Sequence, residues 1–454
     1  MRKNHLVVAT LLSATVAALT AYGGGEVETT PNSSATGTGS SPVPAPAQAP
    51  APTPAPPPVT STVFPLRVEV TKRYLVDAAS QPFLLNGDTA WSLLVQLTRE
   101  EAELYLEDRR VRGFNAVLVN LIEHQYSNNA PLNRYGQGPF TTPGNYSTPN
   151  PLYFDHGDWV LRKAAEKGIV VMLVPSYTGC CGDGWYSEIA ANGATAMLNF
   201  GRYLGQRYQS FTNILWVHGG DSNPANPSLV SQIAAGIREY DRTSLNSAHT
   251  HWEQQAMAFW GSTSWMQVNN IYTYEPVYQL ANQAYARADR MPFFLIESNY
   301  ENEREAAVSR IRTHAYHAVL SGATGHLFGN NPIWHFNAPN APYQTSTTWQ
   351  QALNSTGSRA MTHLRNLFAA HSWWALEPDS SNTTLTGGLG SGQDRAVAAR
   401  AGDSSYAITY MPSIRTITVN LGQLSGPKVN ARWYDPTNGN YATVTGSSFH
   451  VSGS

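Results

Sequence analysis

Eight short apolar runs recur along the chain, each followed by a loop and mostly by a segment of helical periodicity. They are Phe83–Gly87, Asn115–Asn120, Ile169–Pro175, Ile214–His218, Ser244–Ala248, Gln267–Ile271, Phe293–Glu297 and Gly325–Phe328. A near-continuous apolar run must be covered on both faces, as a parallel sheet is by its crossover helices. Eight such units over roughly 250 residues have the length and rhythm of a (β/α)8 barrel, an α/β fold that does its chemistry at the C-terminal ends of its strands.

The first helix shows the local grammar. Thr98-Arg99-Glu100-Glu101 is a capping box, with Thr98 as the cap and Glu101 at the third helical position. Ala102, Tyr105, Leu106 and Arg109 follow at helical spacing, and Gly113 ends the helix just before the second run. The Trp159 to Gly168 segment repeats that ending ahead of the third. The loop from Glu123 to Tyr153 is long and rich in Asn, Pro, Gly and Tyr, and at this end of a barrel it is expected to shape a substrate site.

The ends of the chain differ in kind. Residues 1–22 read as an export signal, with Arg2 and Lys3 ahead of an apolar stretch from Leu6 to Leu19 that is too short for a membrane span. The pattern is lipoprotein-like, but Tyr22 stands where the lipid-bearing cysteine would be. It is either such a signal without its lipid site or an ordinary secretory leader. The expected location is exported, whether periplasmic, cell-surface or extracellular. Residues 23–63 are a Ser/Thr/Gly then Pro/Ala spacer that cannot build a core. The barrel spans 64–366. From 367 to 454 the helices give way to short alternating runs at Val397–Ala401, Ser405–Met411, Thr416–Leu421, Asn430–Tyr434, Tyr441–Val444 and Phe449–Val451, with a turn signal at Asp435–Asn440. This predicts a small β-sandwich.

Charged residues are 13% of the chain and the net charge is −2. No Lys/Arg run is present, so nucleic-acid binding has no electrostatic footprint. Nothing implies a stable protein partner. Cys180 and Cys181 are adjacent; they form either a strained vicinal disulfide or two loop thiols.

Two acids close apolar runs, which is out of character because a buried charge is costly unless paired or used. Asp221 follows Gly219-Gly220 at the end of run four, and Glu297 ends run seven. Barrel strands four and seven would bring them to one mouth, where two facing carboxylates are the equipment for cleaving a glycosidic bond. Asp221 would be the acid/base and Glu297 the nucleophile. An acid held protonated needs an environment that raises its pKa, which is expected around Asp221. The competing readings are a helix cap at Asp221 and a structural ion pair at Glu297, with Glu301 a loop or helix-start carboxylate.

Other strand-end groups suit a sugar. Asp88 and Trp91 follow strand one, as hydroxyl ligand and ring platform or as cap and core. Asn120, Glu123 and His124 follow strand two, Asn269, Tyr272 and Tyr274 mark strand six, and Asn299 lies two residues past Glu297. His218, His249 and His251 are expected to hydrogen-bond sugar or orient Glu297. His249-Thr250-His251 also invites a metal-site reading, because alternation would point both imidazoles one way. A metal site needs further ligands from other strands, so none is assigned.

Gly87-Asp88-Thr89-Ala90-Trp91, Trp216-Val217-His218-Gly219-Gly220-Asp221 and Ile296-Glu297-Ser298-Asn299-Tyr300-Glu301 resemble the apiosidase-like family, once called domain of unknown function 4038 and linked to glycoside hydrolase family 140. The resemblance covers about residues 64 to 360. It implies a (β/α)8 barrel and retaining chemistry on a furanoside such as apiose, with Asp221 as acid/base and Glu297 as nucleophile. Ala431-Arg432-Trp433-Tyr434-Asp435-Pro436 resembles the small collagen-binding-type β-domain that often follows it.

The sequence thus predicts an exported glycoside hydrolase that acts on a polysaccharide or oligosaccharide without a cofactor. The alternative is a non-catalytic carbohydrate-binding or adhesion protein on a barrel scaffold. Carboxyls of Asp221 and Glu297 more than about 10 Å apart would exclude the two-carboxylate chemistry.

Overall fold

The computed structural model describes residues 11–12 and 62–451, except 180, 181 and 262. Most of the export signal, the spacer up to residue 61 and the cysteine pair lie outside the described residues.

The eight barrel strands are β1 (Leu85–Thr89), β2 (Ala116–Asn120), β3 (Val170–Val174), β4 (Ile214–Gly219), β5 (Leu245–His249), β6 (Asn269–Tyr272), β7 (Phe293–Glu297) and β8 (Gly325–Phe328). Parallel pairing runs unbroken from β6 through β7, β8 and β1 to β5. The remaining seam, between β5 and β6, closes without a regular ladder. Gln267 and Val268 N–H both donate to the Asn246 carbonyl (2.9 and 3.1 Å), and Asn246 N–H donates to Gln267 Oε1 (2.9 Å). Higher up, a short strand at Gln254–Gln255 pairs antiparallel with Ile271 and Tyr272.

Alternation sorts the strand side chains into two layers. Leu85, Leu118, Met172, Val174, Leu215, Val217, Phe294, Ile296 and Leu327 fill the barrel interior. Val117, Val119, Val171, Leu173 and Trp216 pack outward beneath the helices. Fully burying each such side chain contributes about 1.5–3 kcal/mol. The capping box at Thr98 forms as read, and the long loop after β2 packs Phe140 and Tyr146 against Trp185 and Phe200.

The first strand differs from the expected Phe83–Gly87. Phe83 belongs to a three-stranded antiparallel sheet (Arg67–Val68, Leu75–Val76, Pro82–Phe83) that plugs the bottom of the barrel, and β1 starts at Leu85. Asp88 therefore lies on the strand rather than in a loop. Likewise β5 extends one residue further than expected and takes in His249.

Beyond the helix Thr356–Ala369, strands Leu376–Pro378, Val397–Ala401, Ala407–Met411, Arg432–Tyr434 and Tyr441–Thr443 form one sheet, with Leu11–Leu12 paired between the third and fourth. Two small pairs, Leu385–Gly387 with Thr418–Val419 and Lys428–Val429 with Phe449–His450, lie beside it. The larger sheet does not stand apart from the barrel. Val397, Ala399, Ala401, Ile408 and Tyr410 share a core with the helix Val308–Leu320, and Tyr316 stacks on Tyr410 at 4.6 Å. All residues from Ile311 to Leu320 of that helix are buried, because it is covered by barrel on one side and sheet on the other. Among the described residues no helix is long and apolar enough to cross a membrane.

Candidate active site

At the top of β4 the backbone turns sharply. Gly219 has φ of +92°, and a Cβ there would come within 2.7 Å of the His249 carbonyl. A Cβ on Gly220 would meet Gly179 N and Thr178 Oγ1 at 2.7 Å. Glycine is required at both positions, and the turn carries Asp221 back over the mouth. Asn223 Oδ1 pins the segment by accepting from Thr250 Oγ1 (2.6 Å) and His251 N–H (3.1 Å). Asp221 caps no helix: the next one begins at Pro227 and is capped by Asn226. Asp221 Oδ1 is buried without a hydrogen-bond partner among the described residues.

His249 points inward from the top of β5, and Glu297 from the top of β7, where the register skips Ile296 (Ile271 pairs with Leu295 and Tyr272 with Glu297) and breaks the alternation. His249 Nε2 lies 3.2 Å from Glu297 Oε2, and Nδ1 lies 3.2 Å from the Thr250 carbonyl and 4.0 Å from Asp221 Oδ1. On the far side Tyr272 and Tyr274 hydroxyls donate to Glu297 Oε1 at 3.3 and 3.4 Å, and lie 2.9 Å from each other. One ligating atom from each of Asp221, His249 and Glu297 falls within 4.8 Å of the other two. Such a trio has the geometry to hold a cation as well as to share protons.

Electrostatics couple the three. Burial first, and the charge of Asp221 second, push Glu297 up to about 7, against the opposing hydrogen bond and charge of His249 and the Tyr272 hydroxyl. Burial opposes charge on His249, but the hydrogen bond to Glu297 and the nearby charges outweigh it and raise its pKa. Both its nitrogens face acceptors, which is the setting for an imidazolium. The carboxyl that the structure raises in this pair is that of Glu297. Groups this close titrate as a unit rather than one by one.

The remaining predicted residues divide. Trp91 joins the site: its indole N–H donates to Tyr300 Oη (3.0 Å), and its ring lies 5.5 Å from Tyr177 and 5.8 Å from His249. Asn120 faces the interior at the top of β2, where its Nδ2 donates to Glu123 Oε2 (2.9 Å). Glu123 Oε1 accepts from three successive backbone N–H groups of the following loop, so it organises that loop. Asn299 Oδ1 is buried without a hydrogen-bond partner among the described residues. Asn269 Oδ1 accepts from Met257 N–H (3.0 Å), a structural role.

Four do not join it. Asp88 points outward from β1, accepting from Tyr105 Oη (2.8 Å) and Arg109 (3.1 Å), with burial raising it to about 6. Its neighbours Gly87 and Thr89 take the inward positions. His218 is also on the outward parity of its strand, bonded to Asn246 Oδ1 (2.9 Å) and held neutral by burial, its pKa lowered to about 4. His124 sits in the outer layer, 3.2 Å from Glu188 and edge-on to Trp185. His251 stacks on the exposed Trp252 at 3.7 Å, because β5 ends at His249 and alternation stops there. The paired-imidazole arrangement of the metal-site reading is therefore not assembled.

Other groups around the mouth had little sequence signal. Glu301 accepts from Asn330 Nδ2 (2.8 Å), Ser355 Oγ (2.6 Å) and Gly357 N–H (2.9 Å), tying the loop to a helix start as anticipated. Glu303 was not anticipated; it accepts from the Trp334 indole at 2.6 Å. Gln393, from the C-terminal sheet region, donates to the Tyr274 carbonyl (3.1 Å) while its Oε1 faces His314 Nε2 (2.9 Å). The second domain thus reaches a residue that touches Glu297.

Comparison with known proteins agrees with this architecture. Residues 69–375 match the family model described as "Apiosidase-like, catalytic domain". Residues 378–453 match that of the "Putative collagen-binding domain of a collagenase". A solved structure titled a glycoside hydrolase is 26% identical, with a TM-score of 0.75 over 85% of this chain and 91% of its own. A glycoside hydrolase family 5 structure from Bacteroides vulgatus ATCC 8482 is 24% identical, with a TM-score of 0.73 over the same shares, and supports the fold. No curated protein matches. With the catalytic-domain model spanning most of the chain and the carboxylate-lined mouth in place, the chain belongs to the apiosidase-like family and is a glycoside hydrolase.

Proposed function

We propose that the protein is an exported retaining glycosidase that releases an apiofuranosyl-type residue from a polysaccharide, with Glu297 as nucleophile and Asp221 as acid/base. The observation that carries this reading is the approach of Asp221 and Glu297 to within 4.8 Å, atom to atom, at the ends of β4 and β7. Retaining pairs sit about 5 to 5.5 Å apart and inverting pairs roughly 6.5 to 9.5 Å. Export rests on the leader sequence, and the sugar on the family.

In the first step a Glu297 carboxylate oxygen attacks the anomeric carbon as the glycosidic C–O bond breaks, and the Asp221 proton passes to the leaving oxygen. In the second, Asp221 takes a proton from water, whose oxygen attacks the same carbon and frees Glu297 as carboxylate. His249 favours the ionised form of Glu297 before attack. Tyr272 and Tyr274 hold its other oxygen.

The test is a screen of aryl glycosides, beginning with 4-nitrophenyl apiofuranoside, and of plant polysaccharides with wild type, Asp221→Asn and Glu297→Gln. Turnover by the wild type and its loss in both variants is expected. Equal turnover by all three overturns the assignment. The close trio of Asp221, His249 and Glu297 favours one other reading, a cation-assisted hydrolase. That reading predicts loss of activity with chelator and recovery with metal; the two-carboxylate mechanism predicts neither.

A further inference from the structure

Six of the eleven non-glycine residues with left-handed backbone among the described residues crowd two loops beside the mouth. Asn302, Arg304 and Glu305 follow β7, and Phe336, Asn337 and Tyr343 follow β8. Left-handed backbone is costly for residues with a Cβ, persists only where the surroundings over-determine it, and clusters at ligand sites.

These two loops hold Glu303. Its neighbours are fastened: Asn302 Nδ2 donates to the Asn331 carbonyl (3.0 Å) and Arg304 Nε to Tyr343 Oη (2.9 Å). The Glu303 carboxyl is itself fixed at one oxygen by the Trp334 indole N–H, 2.6 Å from Oε1. Trp334 belongs to the same apolar cluster as Trp91, Tyr272 and Tyr300, and Tyr126 meets it edge-on at 5.2 Å. Among the described residues, none donates a hydrogen bond to Oε2 and none forms an ion pair with Glu303. Its N–H donates to the carbonyl of Tyr300 (3.3 Å), whose hydroxyl accepts from the Trp91 indole, so Glu303 sits at the edge of the catalytic mouth. Burial first raises its pKa to about 7, with the charges of Glu297 and Arg304 acting on it in opposite directions. A half-buried acid with one pinned oxygen, one open oxygen and no ion pair among the described residues is a poor structural element. It is a good acceptor for a sugar hydroxyl.

We propose that Glu303 is a sugar-binding residue, its Oε2 accepting a hydroxyl of the ring seated against Glu297 while Trp334 fixes the direction of the carboxyl. It would select glycosides that carry a hydroxyl at that position over their deoxy counterparts. The inference rests on the two-carboxylate reading above, which places the ring.

The experiment is steady-state kinetics of wild type, Glu303→Ala, Glu303→Gln and Trp334→Phe on the aryl glycoside turned over fastest in the screen. Calorimetric titration of that glycoside into Glu297→Gln, alone and combined with Glu303→Ala, measures binding without turnover. Glu303→Ala is expected to raise KM about tenfold with kcat within about threefold, and to weaken the calorimetric affinity by a similar factor. Glu303→Gln, whose amide oxygen still accepts, recovers part of the loss, and Trp334→Phe falls between. Unchanged KM and affinity in Glu303→Ala, or a fall in kcat alone, overturns the proposal. If Glu303→Ala does not fold, Glu303→Gln and Trp334→Phe carry the same test. Activity surviving in Asp221→Asn and Glu297→Gln would instead sink the underlying reading.

Discussion

His249 Nε2 stands 3.2 Å from Glu297 Oε2 at the top of the barrel, both side chains buried. Burial first and Asp221 second push the proposed nucleophile up, and this contact opposes them.

The acid side of the pH profile follows from that balance. In the proposed mechanism Glu297 attacks as carboxylate, so activity is present above the pKa at which the Asp221–His249–Glu297 unit frees that carboxylate and is lost as pH falls through it. The acid limb of kcat/KM is expected near pH 7, well above an ordinary glutamate. In His249→Gln the charge that favours the carboxylate is gone, and the limb moves to higher pH with activity at pH 7 reduced. A limb that stays in place would separate His249 from the nucleophile.

Asp221→Asn moves the limb the other way. Removing its charge removes one cause of the raised Glu297 pKa, so attack on a glycoside with a good leaving group extends to lower pH. Turnover of glycosides with poor leaving groups falls roughly 10²- to 10⁴-fold, as loss of general acid catalysis requires. Pre-steady-state release of dinitrophenol against alkyl-glycoside turnover checks both.

Gln393→Ala tests the link between domains. It deletes the hydrogen bond to the Tyr274 carbonyl and leaves that carbonyl and His314 without their partner. A loss of about 1 kcal/mol in stability is expected, with a several-fold fall in kcat from a less constrained Tyr274. Thermal melting and kcat measured together separate the two effects.

Stability should fall in mild acid. His218, His314, His326 and His335 are lowered to about 4 and His317 to about 3, each by burial first. Groups with lowered histidine pKa values contribute stability above the unfolded value, near 6.5, that is lost as pH falls toward 4. Asp88, at about 6, and Glu297 and Glu303, at about 7, act oppositely, since burial of their charge is relieved over the same range. The histidines outnumber them, so calorimetry is expected to show a lower Tm at pH 4.5 than at pH 7.

Much of this was legible in the chain because the strands are apolar throughout. A buried parallel strand must be apolar on both faces, so the runs at 214–218 and 293–297 stood out, and with them the acids at their ends. Which side a polar strand residue faces was harder. Asp88 and His218 are outward because β1 runs on to Thr89, which puts Asp88 on the strand between inward Gly87 and Thr89, and because His218 follows inward Val217 on β4. A one-residue change of register reverses every side chain. His251 failed for a related reason, since alternation cannot be carried past the end of a strand. Glu303 and Gln393 left no periodic signal at all. Their positions depend on loops folding back from elsewhere in the chain, which no local pattern encodes. The strand-rich C-terminal part was visible in its turns and alternation, whereas its shared core with the helix Val308–Leu320 is a tertiary fact.

The central claim is that Glu297 forms a covalent bond to the sugar and Asp221 serves both halves of the reaction. Its most direct test is the anomeric configuration of the methyl glycoside formed when turnover is run in the presence of methanol, read by proton NMR. Methanol replaces water in the second step, and its product cannot mutarotate. The account predicts a methyl glycoside with the configuration of the substrate; the inverted configuration would contradict it.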